Sequence, residues 1–398
     1  MRSEKIKIAI YSGAIPSTSF IERLIVALAK EGFEVLLFGK LLSRVCYDHT
    51  SVVLIGNRKG ILGIFQATVR IVFLRLKYPT RFSALKKYLG YGPVSGKLEF
   101  TNWQKYAPVL LNLPEIFHLQ WAKATDEWVF LKELFGVKLI LSLRGTHINT
   151  SPLANPVLAK AYRNSFVKYD AFHGVSKAIV QEAIPYGVDE QSAHVIYSGL
   201  PTQPLPDRQH RETSGTFRIL AVGRFHWKKG YHYLLDALYL LKKQNVDFNI
   251  TLIAQGEMPE ELLFQLHDLD LVKEVAWIKG LPYPEVIKQM QAHDVLVLSS
   301  VEEGIANVVL EAMMVGLPVV STDCGGMREV IEHGMNGFLV PVRNPEALAE
   351  SIVQVMELSP DVVVSIRQQA HQTIVKRFNI EKNIKAFVAM YQNVMPCA

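Results

Sequence analysis

Cysteine is scarce in this chain, and long apolar runs are missing from it. The 398 residues include three cysteines, Cys46, Cys324 and Cys397, none of them in a CxxC spacing. This usage predicts neither a disulfide framework nor a zinc site, and it favours a reducing compartment. No stretch reaches the roughly 18 apolar residues of a membrane-spanning helix. Met1 to Lys5 lead directly into a predicted strand without a signal-peptide segment, so we expect a cytoplasmic protein.

Acidic residues are absent between Asp48 and Glu99. The same stretch contains the basic residues Arg58, Lys59, Arg70, Arg75, Lys77, Arg81, Lys86, Lys87 and Lys97. Apolar residues are interleaved with them, which is typical of a surface that lies on anionic lipid. A core helix with solvated basic edges fits the pattern equally well. Nucleic acid fits less well, because the net charge is only +6 and no nucleic-acid-binding motif is present.

Length and composition indicate two globular domains. The chain is longer than one typical core, and 49% of its residues are hydrophobic. Residues 200–216 contain three prolines among polar residues and no apolar periodicity, which predicts an interdomain linker. Strand-like and helical segments alternate on both sides of it, which predicts two parallel α/β sheets. In the first half, strands are predicted at residues 5–11, 34–38, 52–55, 115–119, 138–143 and 171–174.

Two carboxylates, Glu303 and Glu311, flank seven residues near the C-terminal end of the chain. Glu303 lies in the loop after a predicted strand, residues 294–299, and Glu311 lies one turn inside a predicted helix, residues 307–315. The loop presents unpaired backbone amides where anionic groups are favoured. Such a layout suits a sugar nucleotide, with acceptors for hydroxyls and donors for phosphate. The alternative is two ordinary solvated charges.

A pair of cations follows another predicted strand, residues 217–222. Arg224 and Lys229 lie between that strand and a helix, at the carboxyl end of the strand, where open parallel sheets bind ligands. Two cations there can offset the charge of a departing diphosphate. A merely solvated pair is disfavoured because cations oppose the positive end of the helix dipole.

These motifs together resemble those of the family 4 retaining glycosyltransferases. The matching residues are Val222–Phe225, Lys229-Gly230, Trp277–Gly280, Glu303–Ala312, Pro318–Asp323 and Gly325-Gly326, and residues 13–21 are similar to the opening of the exopolysaccharide and colanic-acid branch. The resemblance covers nearly the whole chain. It implies an α/β fold of two Rossmann-like domains facing across a cleft (GT-B), with no metal ion. Residues 1–203 with a returning helix, 378–398, are expected to bind the acceptor, and residues 204–377 the nucleotide sugar.

The resemblance also implies roles for individual residues. The expected catalytic residues are Glu303, which grips the sugar, Arg224 and Lys229, which stabilise the leaving diphosphate, and His118. The expected donor-binding residues are Gly13, Arg224, Lys229, Ile278, Lys279, Glu303, Gly304, Ile305, Ala306, Asn307, Val308 and Glu311. His118, Arg144 and His147 are expected on the acceptor side. Ala14 and His147 depart from the family pattern, which usually has glycine and aspartate at these positions.

Two motifs suggest other chemistry and are set aside. Asp268 and Asp270 have the DxD spacing of a metal site, but they lie late in a predicted helix, away from any strand end. No GxGxxG follows a predicted strand, which argues against a dinucleotide-dependent enzyme.

The resemblance therefore predicts a transferase that moves a hexose from a UDP- or GDP-sugar to a hydroxyl of a lipid-linked saccharide during surface polysaccharide assembly. No cofactor or metal is expected. The predicted location is the cytosolic face of the membrane, with residues 58–97 as the membrane contact. A sugar-nucleotide epimerase, a phosphorylase and a non-catalytic sugar-nucleotide binding module remain as alternatives.

Overall fold

The computed structural model describes residues 6–90, 96–207 and 215–395. The chain divides into two compact units. The first comprises the chain up to Val175, Val180–Ile196 and the chain from Ile384 onward, and the second comprises Ser176–Ile179 and Tyr197–Asn383. Each unit contains one parallel β-sheet. The domain boundaries expected from the sequence, near residues 203 and 378, stay predictions.

The first unit contains a seven-stranded sheet in the order β3-β2-β1-β4-β5-β6-β7. Its strands are β1 (Lys7–Ile15), β2 (Glu34–Leu41), β3 (Val52–Asn57), β4 (Ile116–Leu119), β5 (Lys138–Leu143), β6 (Ala171–Gly174) and β7 (Ala193–Val195). The helices along this part of the chain are α1 (Ser19–Lys30), α2 (Gly60–Lys77), α3 (Pro79–Gly90), α4 (Gly96–Leu111), α5 (Thr125–Trp128), α6 (Phe130–Phe135), α7 (Gly145–Asn149), α8 (Ser151–Ala154), α9 (Pro156–Phe166) and α10 (Lys177–Ala183). The strand order is that of a Rossmann sheet.

The second unit contains a six-stranded sheet in the order β10-β9-β8-β11-β12-β13, which repeats the Rossmann arrangement. Its strands are β8 (Phe217–Arg224), β9 (Phe248–Gln255), β10 (Val275–Lys279), β11 (Val295–Leu298), β12 (Val319–Thr322) and β13 (Phe338–Val340). The helices are α11 (Tyr231–Lys243), α12 (Glu260–Asp268), α13 (Tyr283–Ala292), α14 (Asn307–Met314), α15 (Pro345–Met356), α16 (Pro360–Arg377) and α17 (Ile380–Val394), the last of which ends in the first unit. The prediction of two Rossmann-like α/β domains is confirmed.

The apolar periodicities of α1 and α11 correspond to buried faces. In α1 the buried residues include Ile21, Leu24, Ile25 and Leu28, and in α11 they include Leu234, Ala237, Leu238 and Leu241. Both faces pack on their sheets because apolar side chains three and four positions apart lie on one side of a helix. None of the helices in the described residues is both long and apolar enough to cross a bilayer.

The first strand is longer than predicted, which changes the setting of Gly13 and Ala14. The sequence suggested a loop after Tyr11, but β1 continues to Ile15 after a bulge between Tyr11 and Gly13. Gly13 pairs with Gly39 of β2, and a Cβ on Gly39 would lie 3.0 Å from the Gly13 carbonyl carbon. Two facing glycines thus allow a close backbone approach and extend the pairing, so Gly13 and Ala14 lie in a strand and not in a loop.

Candidate functional site

The turn after β8 brings two lysines towards the end of a neighbouring strand. Residues Trp227–Lys229 form a short 3₁₀ turn, and Gly230 starts α11 with a φ of 61°. A Cβ on Gly230 would lie 2.2 Å from the carbonyl oxygen of Ser299, so only glycine allows this approach. The turn therefore lies directly against the loop that follows β11.

Two hydrogen bonds join this turn to that loop. The hydroxyl of Ser299 donates to the carbonyl of Lys229 at 2.9 Å, and the amide of Val301 donates to the carbonyl of Lys228 at 2.7 Å. Since β8 and β11 are neighbours in the sheet, both loops leave at the same edge. The backbone of the lysine pair is thus held next to Glu303.

Glu303 is a buried carboxylate between the two lysines. Lys229 Nζ donates to Oε1 at 2.6 Å, the Ser300 hydroxyl donates to the same oxygen at 3.0 Å, and Lys228 Nζ lies 3.9 Å from Oε2. Burial raises the pKa of Glu303, but the two lysines and the hydrogen bonds from Lys229 and Ser300 outweigh it and hold the pKa below its usual value. The carboxylate is consequently ionised and fixed in direction.

The Gly325-Gly326 pair supports the Glu303 loop from beneath. A Cβ on Gly325 would lie 1.7 Å from the Glu303 carbonyl oxygen, and the amide of Gly326 donates to the carbonyl of Gly304 at 2.8 Å. These glycines are needed because two backbones touch here. Burial, with Glu303 nearby, raises the pKa of the adjacent Cys324 thiol to about 12, so this cysteine is protonated and is a poor nucleophile.

Glu311 lies one turn inside α14, as predicted, beside a cavity. The cavity has a volume of about 320 Å³, and its lining includes Glu311, Tyr283, Ile287 and Gln203. The first residue of α14, Asn307, has a buried side-chain oxygen with no hydrogen-bond partner among the described residues. Ala306 is the buried N-cap and makes no side-chain hydrogen bond to the helix. The start of α14 therefore has unused polar groups close to the Glu303 loop.

The other predicted donor-binding residues of the second unit are more dispersed. Arg224 is exposed at the end of β8 and makes no ion pair with the described residues. Ile305 and Val308 pack partly buried against the core. Ile278 is half-buried at the end of β10, and Lys279 pairs with Glu257 on the surface. Neither Ile278 nor Lys279 lines the cavity beside Glu311.

In the first unit, His118 is fully buried and both of its ring nitrogens are hydrogen-bonded. Nδ1 lies 2.7 Å from the Tyr391 hydroxyl, and Nε2 lies 2.9 Å from the Ser142 hydroxyl, which in turn lies 2.8 Å from His173 Nδ1. His173 Nε2 lies 2.8 Å from the carbonyl of Ile196. The catalytic role of His118 stays a prediction.

The carbonyl of Ile196 sets the direction of this whole chain of hydrogen bonds. A carbonyl only accepts, so His173 Nε2 carries a proton and its Nδ1 accepts from Ser142. The oxygen of Ser142 then accepts from His118 Nε2, and His118 Nδ1 accepts from Tyr391. Both rings must be neutral for this pattern. Burial lowers the pKa of His173 to about 3 and holds the pKa of His118 well below its usual value.

Arg144 and His147 lie with aromatic rings at the carboxyl ends of β4 and β5. The Arg144 guanidinium stacks 4.4 Å from the centre of the Phe20 ring and donates to Gln120 at 3.0 Å. Burial lowers the pKa of Arg144 to about 9. The His147 ring packs against Trp121 at 5.3 Å between centroids. Two of the three predicted acceptor-side residues, Arg144 and His147, therefore share one polar and aromatic cluster.

Two side chains of the lysine turn were missed by the sequence analysis. Lys228 is buried beside Glu303, and the buried hydroxyl of Tyr231 has no partner among the described residues. A Cβ on Gly223 would lie 2.6 Å from that hydroxyl. The lysine doublet was the available signal for Lys228, whereas nothing in the sequence pattern distinguishes Tyr231 from other helix-start aromatics.

Asp268 and Asp270, which have the DxD spacing, are not arranged as a metal site. Asp270, just after α12, pairs with Lys242 at 3.0 Å and lies on the surface. Among the residues that the structure describes, no group of three or more His, Cys, Asp or Glu side chains is arranged to bind a metal ion.

Residues 206–373 match the family model described as Glycosyl transferases group 1. A similar curated protein is the amylovoran biosynthesis glycosyltransferase AmsK of Erwinia amylovora, 29% identical over 51% of this chain and 52% of that protein. Another is the putative colanic acid biosynthesis glycosyltransferase WcaL of Salmonella typhimurium, 27% identical over 58% of this chain and 59% of that protein. The chain thus spans little more than half the length of these relatives.

Solved structures extend the likeness to the whole fold. Anabaena Alr3699/HepE in complex with UDP and glucose has a TM-score of 0.70 at 19% identity and covers 98% of this chain and 100% of its own. Sucrose-phosphate synthase of Thermosynechococcus elongatus has a TM-score of 0.73 at 15% identity, with coverage of 98% and 99%. At these identities the likeness concerns the fold, which is that of the GT-B glycosyltransferase structures.

Proposed function

We propose that this protein is a retaining, metal-independent hexosyltransferase that uses a nucleotide-diphospho sugar, because residues 206–373 match the family model described as Glycosyl transferases group 1. The observation that carries the proposal is the ionised, buried Glu303 held by Lys229 at 2.6 Å at the carboxyl edge of a Rossmann sheet. That edge is where open α/β sheets bind ligands. The family supports transfer over epimerisation, phosphorolysis or binding alone.

In the proposed reaction the bond between the sugar's anomeric carbon and the diphosphate oxygen breaks, and a bond to an acceptor hydroxyl forms on the same face. The acceptor proton passes to the leaving phosphate. Negative charge develops on the phosphate while the sugar becomes cation-like. Arg224, which is exposed, and Lys229 would stabilise the phosphate, and Glu303 would hold sugar hydroxyls. The amides of residues 304–308 would add donors at the start of α14.

The ribose would lie at Glu311, which borders the cavity of about 320 Å³. A carboxylate accepts two hydroxyls in a bidentate manner, which suits the ribose diol. Ile278 and Lys279, at the end of β10, would meet the base with their backbone. We propose a UDP- or GDP-sugar donor, and the UDP complex of the structural neighbour favours UDP. No cofactor or metal takes part.

The acceptor would meet the first unit. Trp121 and Phe20 provide faces against which a sugar ring can pack, while Arg144 and His147 provide polar contacts. His118 is the further predicted contact of the acceptor, while Gly13 is the contact that the first unit is predicted to make with the donor. Relatives that take part in amylovoran and colanic acid biosynthesis support a saccharide acceptor. We propose a lipid-linked saccharide, with transfer on the cytosolic face of an anionic membrane.

Thermal unfolding with a panel of nucleotides tests the donor site without knowledge of the acceptor. The panel is UDP, GDP, ADP, their common sugar conjugates and NAD, each with and without EDTA. A ligand that binds only the native state raises stability, by about 2.7 kcal/mol at a concentration 100 times its Kd. We expect one nucleotide family to raise the Tm, without an effect of EDTA, and Glu311→Ala to abolish the shift. No shift with any nucleotide would contradict the proposal.

A further inference from the structure

The outward face of α2 is apolar along the length of the helix. Ile61, Phe65 and Leu76 expose 85%, 69% and 75% of their surface, and Val69 and Val72 between them are also exposed. These positions follow the spacing of one helical face. The opposite face, with Gly63, Ala67 and Leu74, is buried. The small residues are inside and the large apolar side chains point to solvent, which does not fit the alternative of a core helix with solvated basic edges.

Specific contacts hold α2 in this orientation. A Cβ on Gly63 would lie 2.1 Å from the carbonyl oxygen of Arg58, so the inner face packs at backbone distance. Arg70 donates to the side chain of Asn57 at 2.7 Å, and the amide of Arg58 donates to Gln66 at 3.0 Å. Rotating the helix to bury Phe65 would break these contacts. The exposed apolar face is consequently built into the unit, and so large a patch on a folded protein indicates a binding surface.

Basic residues flank this helix along the chain. Exposed basic residues precede α2 (Arg58 and Lys59), end it (Arg75 and Lys77) and continue on α3 (Lys86 and Lys87). No aspartate or glutamate occurs between Asp48 and Glu99. A basic rim around an apolar helix face matches a bilayer with anionic headgroups, where lysines remain at the surface and apolar side chains enter the acyl boundary.

We propose that α2 lies in the interface of an anionic membrane, with Ile61, Phe65, Val69, Val72 and Leu76 inserted and the surrounding arginines and lysines on the headgroups. A second copy of this chain fits less well. A two-fold interface would bring identical patches together, and both would carry the same positive rim. The inference deepens the membrane location of the proposed function, and lipid binding can be measured without donor or transfer.

Vesicle flotation of the full chain tests the insertion. We expect binding to vesicles of phosphatidylcholine with phosphatidylglycerol and little binding to phosphatidylcholine alone. Phe65→Ser with Leu76→Ser should lower the partition coefficient roughly tenfold or more, because two large apolar side chains no longer enter the bilayer. The matched control is Phe264→Ser with Leu153→Ser, which removes the same two side-chain types at sites that are 72% and 75% exposed elsewhere. The control should bind like the unmodified protein.

A charge variant separates the two components of binding. Replacing Lys59, Lys86 and Lys87 with Gln should weaken binding to the anionic vesicles, and so should added salt. The same changes at Lys30, Lys160 and Lys273, which are also exposed, should have a smaller effect. Equal binding by the Phe65/Leu76 variant and its control would overturn the inference. Sedimentation equilibrium without lipid tests for a dimer. If the unmodified protein forms a dimer that the Phe65/Leu76 variant does not form, and the unmodified protein does not bind vesicles, the face binds a second copy instead.

Failure of the membrane inference can be told apart from failure of the proposed transferase function. Vesicle binding is scored without nucleotide, and the nucleotide-induced rise in Tm is scored without lipid. A protein that binds UDP and ignores vesicles would retain the transferase proposal and lose this one.

Discussion

At the scale of single residues, the Glu303 carboxylate is the most constrained charge of the candidate site. It is buried, and its nearest partner, Lys229, is also largely buried. Removing one member of a buried ion pair leaves the other without compensation, which costs about 3–5 kcal/mol. Lys228, 3.9 Å from the second carboxylate oxygen, can supply part of that compensation. Lys228 would thus keep Glu303 ionised if Lys229 turned to a phosphate, as proposed.

Lys229→Ala should therefore reduce both stability and transfer. We expect a loss of about 3 kcal/mol in the free energy of unfolding and a fall in kcat of about 100-fold or more, since a phosphate-stabilising cation is lost. Adding Glu303→Gln should restore most of the stability but none of the activity. Urea unfolding of both single variants and the double variant gives the coupling energy. Lys288→Ala, which opens an exposed pair with Glu285, should cost at most about 1 kcal/mol. If the losses of unfolding free energy in the two single variants added up to the loss in the double variant, the coupling between Lys229 and Glu303 would be absent.

Arg224 provides a contrasting case, because it is exposed and makes no ion pair in the described part of the chain. Arg224→Ala should leave the Tm of the free protein nearly unchanged and weaken binding of the nucleotide diphosphate. Calorimetric titration with the nucleotide from the thermal panel checks this. Unchanged affinity would remove Arg224 from the phosphate site.

At the scale of elements, the turn between β8 and α11 depends on Gly230. Gly230→Ala combines a positive φ with a Cβ only 2.2 Å from the Ser299 carbonyl oxygen. Gly256 has a φ of 95° but open space around the Cβ position, so Gly256→Ala isolates the backbone cost of about 1 kcal/mol. We expect Gly230→Ala to be clearly more destabilising, and to weaken nucleotide binding, because the lysine turn must move away from Glu303. Urea denaturation of both variants measures the two losses of unfolding free energy. Equal losses would show that the close approach of Gly230 to Ser299 adds no cost.

The hydrogen-bond chain from Tyr391 of α17 to Ile196 makes stability depend on pH. Burial lowers the pKa of His173 to about 3 and holds that of His118 well below its usual value, so both are neutral in the folded protein near neutral pH. In the unfolded chain both accept protons below about pH 6.5. Their contribution to stability is therefore complete above about pH 6.5 and declines as pH falls, by up to about 1.4 kcal/mol per pH unit for each ring.

His173→Gln should reduce that pH dependence. The amide can still donate to Ile196 and accept from Ser142, but it does not titrate. We expect the slope of unfolding free energy against pH, measured with urea from about pH 6.5 to about pH 5, to decrease by about 1.4 kcal/mol per unit. His333→Gln, which replaces an exposed histidine, is the matched control. An identical slope in His173→Gln would show that the buried ring does titrate.

At the scale of the whole molecule, the two Rossmann units have different proposed roles, with the acceptor bound by the first unit and the donor by the second. The proposed donor site lies within the second unit, in the loops after β8 and β11. Hydrogen exchange of the full chain with the nucleotide that raises the Tm should therefore show added protection in residues 223–230 and 303–311. The turn between α11 and β9, residues 244–247, lies at the opposite edge of the sheet, serves as the internal comparison and should change less. Protection confined to the first unit would contradict the assignment of the donor to the second.

Much of the fold and part of the site followed from local sequence pattern. Strands β5 and β6 have the predicted boundaries, because a buried strand needs a continuous apolar run. The spacing of Glu303 and Glu311, with the glycines and lysines that accompany them, likewise indicated a sugar-nucleotide site. Such features depend on residues that are close together along the chain, and so they can be predicted from the sequence alone.

The tertiary structure decided which of these residues meet. Lys228, Gly325 and Tyr231 acquire their places near Glu303 only because loops after different strands converge at one sheet edge. The burial of His118 depends on Tyr391, which is 273 residues away. In α2, composition allowed either a buried or an exposed apolar face, and the choice was made by which side could approach Arg58 and α4. The sequence determined the elements and the candidate charges, whereas long-range packing determined their partners, burial and direction.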